Sequence, residues 1–75
     1  MTPEQCREAR ALLAWTDEDL AKQARCSRAT VVNFERTVGR PHPEAAAALR
    51  SAFEQAGVEF TNGEGPGVRL RREIP

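Results

Sequence analysis

Residues 28–36 (RATVVNFER) place, at helical spacing, side chains that can hydrogen-bond to flat polar surfaces. With Val31, Phe34 and Glu35 on one side of a helix, the opposite side carries Arg28, Ala29, Val32, Asn33 and Arg36. A guanidinium group can form two parallel hydrogen bonds with guanine, a carboxamide can form two with adenine, and small apolar side chains fit a thymine methyl group. This pattern predicts a helix that reads base edges in the major groove of DNA. The alternative is an ordinary solvated helix face.

Further polar residues around this segment can contact the DNA backbone without reading sequence. The candidates are Thr16, Asp17, Ser27, Thr30, Arg36 and Arg40. Hydroxyl groups and arginines are typical donors to phosphate oxygens. Asp17 is the exception, because a carboxylate near the phosphates would weaken such a contact.

The segment before this helix predicts two more helices. Residues 2–5 (TPEQ) combine a capping threonine, a proline at the first helical position and a glutamine that completes a capping box. This first helix runs to about Ala14, and its predicted buried stripe contains Cys6, Ala9, Leu12 and Leu13. Thr16 caps a second helix whose first turn is acidic, as the helix dipole favours, and Ser27 caps the third.

The C-terminal half predicts one more helix and a β-hairpin. Residues 37–43 (TVGRPHP) form a loop, Pro43 begins the fourth helix and Gly57 ends it. After that, apolar and polar residues alternate on both sides of residues 62–67 (NGEGPG), which predicts two strands joined by a turn. We therefore divide the chain into a helical domain, residues 1–57, and a hairpin tail, residues 58–75.

The tail is expected to serve assembly. Its apolar residues are too few for a core of their own, and an exposed strand edge is a template for pairing with another chain. The predicted dimerisation residues are Val58, Phe60, Val68 and Leu70. The alternative is that the hairpin folds back on its own helices and that the dimer forms through the fourth helix.

Residues 16–36 have the order of features that a helix-turn-helix needs: a small residue within the first helix, a tight turn, and apolar residues inside both helices. From residue 2 to residue 56, the chain resembles the Cro/repressor-like, or Xre, family. The resemblance is carried by Arg10, residues 14–16 (AWT), Leu20, Ala21, Ser27, Arg28, Val31, residues 34–36 (FER), Arg40 and Pro41. It implies a mainly α fold, a compact four- to five-helix bundle of the lambda-repressor type, which binds a palindromic operator as a homodimer with its third helix in the major groove.

Two charged residues are predicted to lie on buried helix faces, Arg10 in the first helix and Glu35 in the third. Because an unpaired buried charge is very costly, we expect them to form a structural ion pair, which the resembling family also has. Arg25 departs from the family, which usually has glycine there because the chain leaves the second helix in a left-handed conformation. Arg25 either adopts that conformation or uses a different turn.

The composition bounds the remaining function classes. The chain has 75 residues and no net charge, but residues 25–50 contain five arginines and only two acidic residues. No Ser/His/Asp, Cys/His or phosphate-loop arrangement indicates an enzyme, and Cys6 and Cys26 show no metal-ligand spacing, so neither a metal nor a cofactor is expected. Without a leader or a long apolar run, we expect a cytoplasmic protein with no membrane partner. The rival interpretation is a protein-binding module such as an antitoxin or an anti-activator, and a regulatory protein partner stays open.

Overall fold

In the computed structural model, which describes residues 1–36, 43–61 and 67–70, four α-helices precede a two-stranded antiparallel sheet. The helices and strands are α1 (Pro3–Leu13), α2 (Asp17–Ala24), α3 (Arg28–Arg36), α4 (Pro43–Gln55), β1 (Val58–Thr61) and β2 (Gly67–Leu70). The prediction of a mainly helical fold with a C-terminal β-hairpin is confirmed. Within these described residues, no helix has the length and apolar character needed to span a membrane.

α1 begins at a capping box and ends one residue before the predicted position. The Thr2 hydroxyl accepts a hydrogen bond from the Gln5 backbone N–H at 3.0 Å, and the Gln5 side chain accepts one from the Thr2 N–H at 2.9 Å. Cys6 and Ala9 are completely buried, but Leu12 is 41% exposed. The prediction that Leu12 belongs to the buried stripe is therefore wrong, because Leu12 lies in the last turn of α1, where the core does not extend to its side chain.

α1 and α2 each end at a residue in the left-handed conformation although neither residue is glycine. Ala14 has φ 55° and ψ 36°, and Arg25 has φ 56° and ψ 45°. At both ends the next backbone N–H reaches a carbonyl five residues back, from Trp15 to Arg10 at 2.9 Å and from Cys26 to Ala21 at 3.0 Å. This geometry costs a residue with a Cβ about 1 kcal/mol. Of the two conformations considered for Arg25, the chain has the left-handed one, which turns it from α2 into α3 within three residues.

The core is shared by all four helices and by the hairpin. Its buried members are Cys6, Ala9, Leu20, Ala21, Val31, Phe34, Leu49, Ala52, Phe53 and Val58. Ala21, 4% exposed, is small enough for α3 to pack closely against α2. α3 thus lies against α1, α2 and α4, which fixes its orientation.

The hairpin folds back on its own helices, as in the alternative interpretation of the tail, and the role of its apolar residues in dimerisation stays a prediction. Gly57, with φ 96°, turns the chain directly from α4 into β1. Val58 is 1% exposed in the core, the Phe60 ring lies edge-on to Phe53 with 6.1 Å between ring centroids, and Val68 is half-buried beside them. Val58 in particular is not available to a second subunit. Of the four predicted dimerisation residues, Leu70 is the one that remains exposed, at 46%.

Candidate nucleic-acid interface

α3 presents two different faces. Val31 and Phe34 are buried in the core, at 0% and 3% exposure. The opposite face brings together the four residues predicted to read bases and Arg36, predicted to contact the DNA backbone: Arg28, Ala29, Asn33 and Arg36 are exposed and Val32 is half-buried. Four of them, Arg28, Ala29, Val32 and Asn33, line a shallow depression on the surface. This face combines donors, an acceptor and small apolar groups, as major-groove contacts require.

Ser27 forms the N-terminal cap of α3, and the Thr30 hydroxyl lies beside it. The Thr30 backbone N–H donates to the Ser27 side-chain oxygen at 3.2 Å, and the two hydroxyl oxygens lie 3.0 Å apart. Ser27 is exposed and Thr30 half-buried. The cap places both hydroxyls at the positive end of the helix dipole, where an anion such as a phosphate is favoured.

At the other end of α3, Glu35 is held by α1. Arg10 donates from Nε to Oε2 and from Nη2 to Oε1 of Glu35, both at 2.8 Å, so the predicted pair is present as a bidentate contact. The Cys6 thiol donates to the same Oε2 at 3.1 Å, and Arg7 Nη1 donates to the Glu35 backbone carbonyl at 2.7 Å. The sequence interpretation missed Cys6 and Arg7. The signal for Cys6 is its spacing, since it lies four residues before Arg10 on the same face of α1.

The electrostatics of this cluster favour a charged pair beside a neutral thiol. The hydrogen bond to Glu35 raises the pKa of Arg10 above its ordinary value. Burial raises the pKa of the Cys6 thiol far above its ordinary value, and the hydrogen bond to Glu35 adds to this effect. Cys6 therefore stays protonated and acts as a donor. Because the Arg10 and Glu35 side chains are only 22% and 10% exposed, this pair is a structural element that fixes the end of α3.

The three acidic residues at the start of α2 differ in what they contact. Asp19 completes a capping box with Thr16: the Thr16 hydroxyl accepts from the Asp19 N–H and the Asp19 carboxylate accepts from the Thr16 N–H, both at 3.0 Å. The hydrogen bond from the Thr16 backbone lowers the pKa of Asp19. Glu18 is exposed, whereas Asp17 accepts a hydrogen bond from Arg28 at 3.1 Å, a contact that the sequence interpretation missed.

Of the two remaining predicted features, Arg25 lies within the described residues and Arg40 does not. Arg25, at the turn between α2 and α3, is exposed. Arg40, predicted to contact the DNA backbone, lies outside the described residues. Among the residues that are described, no group of three or more His, Cys, Asp or Glu side chains could hold a metal ion.

No protein-family model matches the chain, and no curated protein is significantly similar to it.

Proposed function

We propose that this chain is a sequence-specific DNA-binding transcriptional regulator, of the repressor kind, that inserts α3 into the major groove. The observation that carries the proposal is the division of α3 into a buried face, fixed on three other helices, and an outward face with Arg28, Val32 and Asn33. An isolated helix face could not position these groups relative to a groove. A helix packed on three neighbours holds them in register with successive base pairs.

The charge distribution supports DNA as the ligand in spite of the zero net charge. Glu35, the acidic residue of α3, is turned inward and paired with Arg10. The outward face of α3 therefore carries Arg28 and Arg36 without a carboxylate of its own. Contacts between arginines and phosphates provide most of the affinity of such proteins, and they make it depend on salt.

A mobility-shift titration at several salt concentrations tests the proposal. The probe is a duplex that the full chain itself selects from a random DNA pool. We expect log K to fall linearly with log salt concentration, and we expect a duplex of scrambled sequence to bind at least about 10³-fold more weakly. Binding that ignores both salt and sequence would overturn the proposal and favour the protein-binding module instead.

We also propose that the chain binds as a homodimer, since one α3 contacts too few base pairs for high specificity and two related by a two-fold axis can read a palindrome. Leu70 is the exposed large apolar residue of the two described strands, and Leu12, 41% exposed, offers a matched control on α1. We expect Leu70→Lys to sediment as a monomer and to bind the palindrome weakly, while Leu12→Lys behaves as wild type.

A Leu70→Lys protein that remains dimeric would place the interface on α4. A monomeric wild-type protein bound to DNA would contradict the homodimer. Truncation after Gly57 is unsuitable, because it removes Val58 from the core.

A further inference from the structure

The first residues of the two helices of the helix-turn-helix are in contact. Asp17 begins α2, Arg28 begins α3, and Arg28 Nε donates to Asp17 Oδ1 at 3.1 Å. The Arg28 side chain is 66% exposed and that of Asp17 27% exposed. Within the described part of the chain, Arg28 donates to Asp17, and for this contact Arg28 uses one nitrogen of its guanidinium group, Nε.

The choice of nitrogen matters for recognition. A guanidinium group has five N–H donors in one plane, and a bidentate contact with guanine needs two of them. With Nε on Asp17, the two terminal nitrogens Nη1 and Nη2 stay available at the far end of the plane. Holding one edge of the plane also restricts the rotation of a long, otherwise mobile side chain before DNA binds, which lowers the entropy lost on binding.

We infer that Asp17 is a positioning residue that orients Arg28 for guanine and so sets the base preference at one position of the operator. This inference rests on the proposed DNA-binding function. It also gives a reason for a carboxylate at this place: the charge of Asp17 weakens binding to any DNA backbone, while its contact with Arg28 strengthens binding to the correct base. Both effects widen the gap between specific and random DNA.

Three variants of the full chain separate the contact from the charge. Asp17→Ala removes both the charge and the acceptor, and Asp17→Asn removes the charge but keeps an oxygen that can accept from Nε. Glu18→Ala is the matched control, because Glu18 is an exposed acid in the same turn of α2. The probe is the duplex selected by the wild-type chain, together with duplexes in which the base pair that Arg28→Ala no longer discriminates is replaced.

We expect Asp17→Ala to lose about two- to tenfold in discrimination at that base pair, which is about half, in free energy, of the roughly 5- to 150-fold that one bidentate contact provides. Asp17→Asn keeps most of the discrimination, and Glu18→Ala keeps all of it. All three bind random DNA more tightly than wild type, since each lacks one negative charge. Thermal melting of each variant shows that the fold is intact.

The outcomes distinguish this inference from the proposed function. If Asp17→Ala discriminates as well as wild type while Arg28→Ala does not, the positioning role is wrong and DNA reading by Arg28 stands. If Asp17→Ala binds its selected duplex more tightly with better discrimination, Asp17 obstructs Arg28, and the inference is overturned in the opposite direction. If the wild-type chain selects no sequence from the pool, the proposed function fails, and the positioning role of Asp17 fails with it.

Discussion

Two arginine–carboxylate contacts tie α3 to the helices before it, and they differ in almost every physical respect. Arg10 and Glu35 join through two hydrogen bonds of 2.8 Å, with side chains 22% and 10% exposed. Arg28 and Asp17 join through one hydrogen bond of 3.1 Å, and Arg28 is 66% exposed. The first contact lies at the C-terminal end of α3 and the second at its N-terminal end.

The difference shows how burial assigns a role to the same pair of chemical groups. At the inner contact, between Arg10 and Glu35, loss of one partner leaves the other in a place that water reaches poorly, so the pair is needed for stability. At the outer contact, between Arg28 and Asp17, water competes with both groups, and the pair contributes only ~0–1 kcal/mol to stability. Arg28 can therefore exchange water for a base edge at little cost in free energy, whereas Arg10 cannot leave Glu35 without destabilising the fold.

The strongest test of this contrast is Glu35→Ala. We expect the free energy of unfolding to fall by about 2–3 kcal/mol, because the Arg10 guanidinium and the Cys6 thiol lose their common acceptor; the value lies below the ~3–5 kcal/mol of a fully buried pair since Arg10 is partly exposed. That is a large share of the ~4–11 kcal/mol expected for a chain of this size. Urea titration measures the change.

The control for Glu35→Ala is Glu54→Ala. Glu54 pairs with Arg50 one turn earlier in α4, at 3.0 Å, with side chains 50% and 44% exposed. We expect a change under about 0.5 kcal/mol, as for other exposed pairs at this spacing. Equal losses in the two variants would show that burial does not separate the roles of these pairs.

The next largest effect concerns the outward face of α3. Arg28→Ala and Asn33→Ala should each cost about 1–3 kcal/mol of binding to the selected operator and little on random DNA, because contacts with base edges carry the discrimination. Fluorescence anisotropy with both duplexes measures the difference, and Arg28→Ala should melt close to wild type.

Arg36→Ala is the comparison for these two variants. Arg36 is exposed in the last turn of α3, where it can contact the backbone, so its loss should weaken binding to both duplexes by a similar factor. If Arg28→Ala behaved in the same way as Arg36→Ala, Arg28 would be a phosphate contact and the outward face of α3 would not read bases.

The sequence predicts much of this arrangement because the informative signals are local. The capping residues Thr2 and Thr16 mark the starts of α1 and α2, and helical periodicity separates Val31 and Phe34 from the outward residues of α3. The pairing of Arg10 with Glu35 can also be predicted from the sequence, since each residue falls on the face that its own helix buries.

Contacts between elements are harder to predict, because they depend on how far one element extends over another. Leu12 fits the apolar stripe of α1 but lies beyond the core, and Val58 reads as a tail residue but completes the core after the turn at Gly57. The contact of Asp17 with Arg28 joins residues 11 apart across a turn, so no periodic pattern indicates it.

A smaller effect is expected at the turn between α2 and α3. Arg25→Gly should raise the free energy of unfolding by about 0.5–1 kcal/mol, because glycine adopts the left-handed conformation without steric cost. Ala14→Gly, at φ 55°, is the matched control and should stabilise by a similar amount. DNA affinity separates the two variants: if Arg25 contacts a phosphate, only Arg25→Gly binds all duplexes more weakly, with a shallower salt dependence. Unchanged affinity in both would make Arg25 a tolerated surface residue.

The smallest effect tests whether the inner contact depends on a neutral thiol at Cys6. The pKa of Cys6 is raised in the folded protein, chiefly by burial and also by its hydrogen bond to Glu35, whereas the unfolded thiol ionises near its ordinary pKa of 9.0. The unfolded chain therefore loses its proton first as the pH rises, so this contribution to stability is complete below that value and declines above it. Between pH 7 and pH 9 we expect the free energy of unfolding to fall by under about 1 kcal/mol on account of this thiol.

Urea titrations of wild type and Cys6→Ser at both pH values measure this loss, since serine can still donate to Glu35 but does not titrate in this range. The pKa of Cys26 is also raised by burial, and its contribution is present in both proteins, so the comparison isolates Cys6. Equal pH dependence in the two proteins would mean that the Cys6 thiol does not take part in the inner contact as a neutral donor.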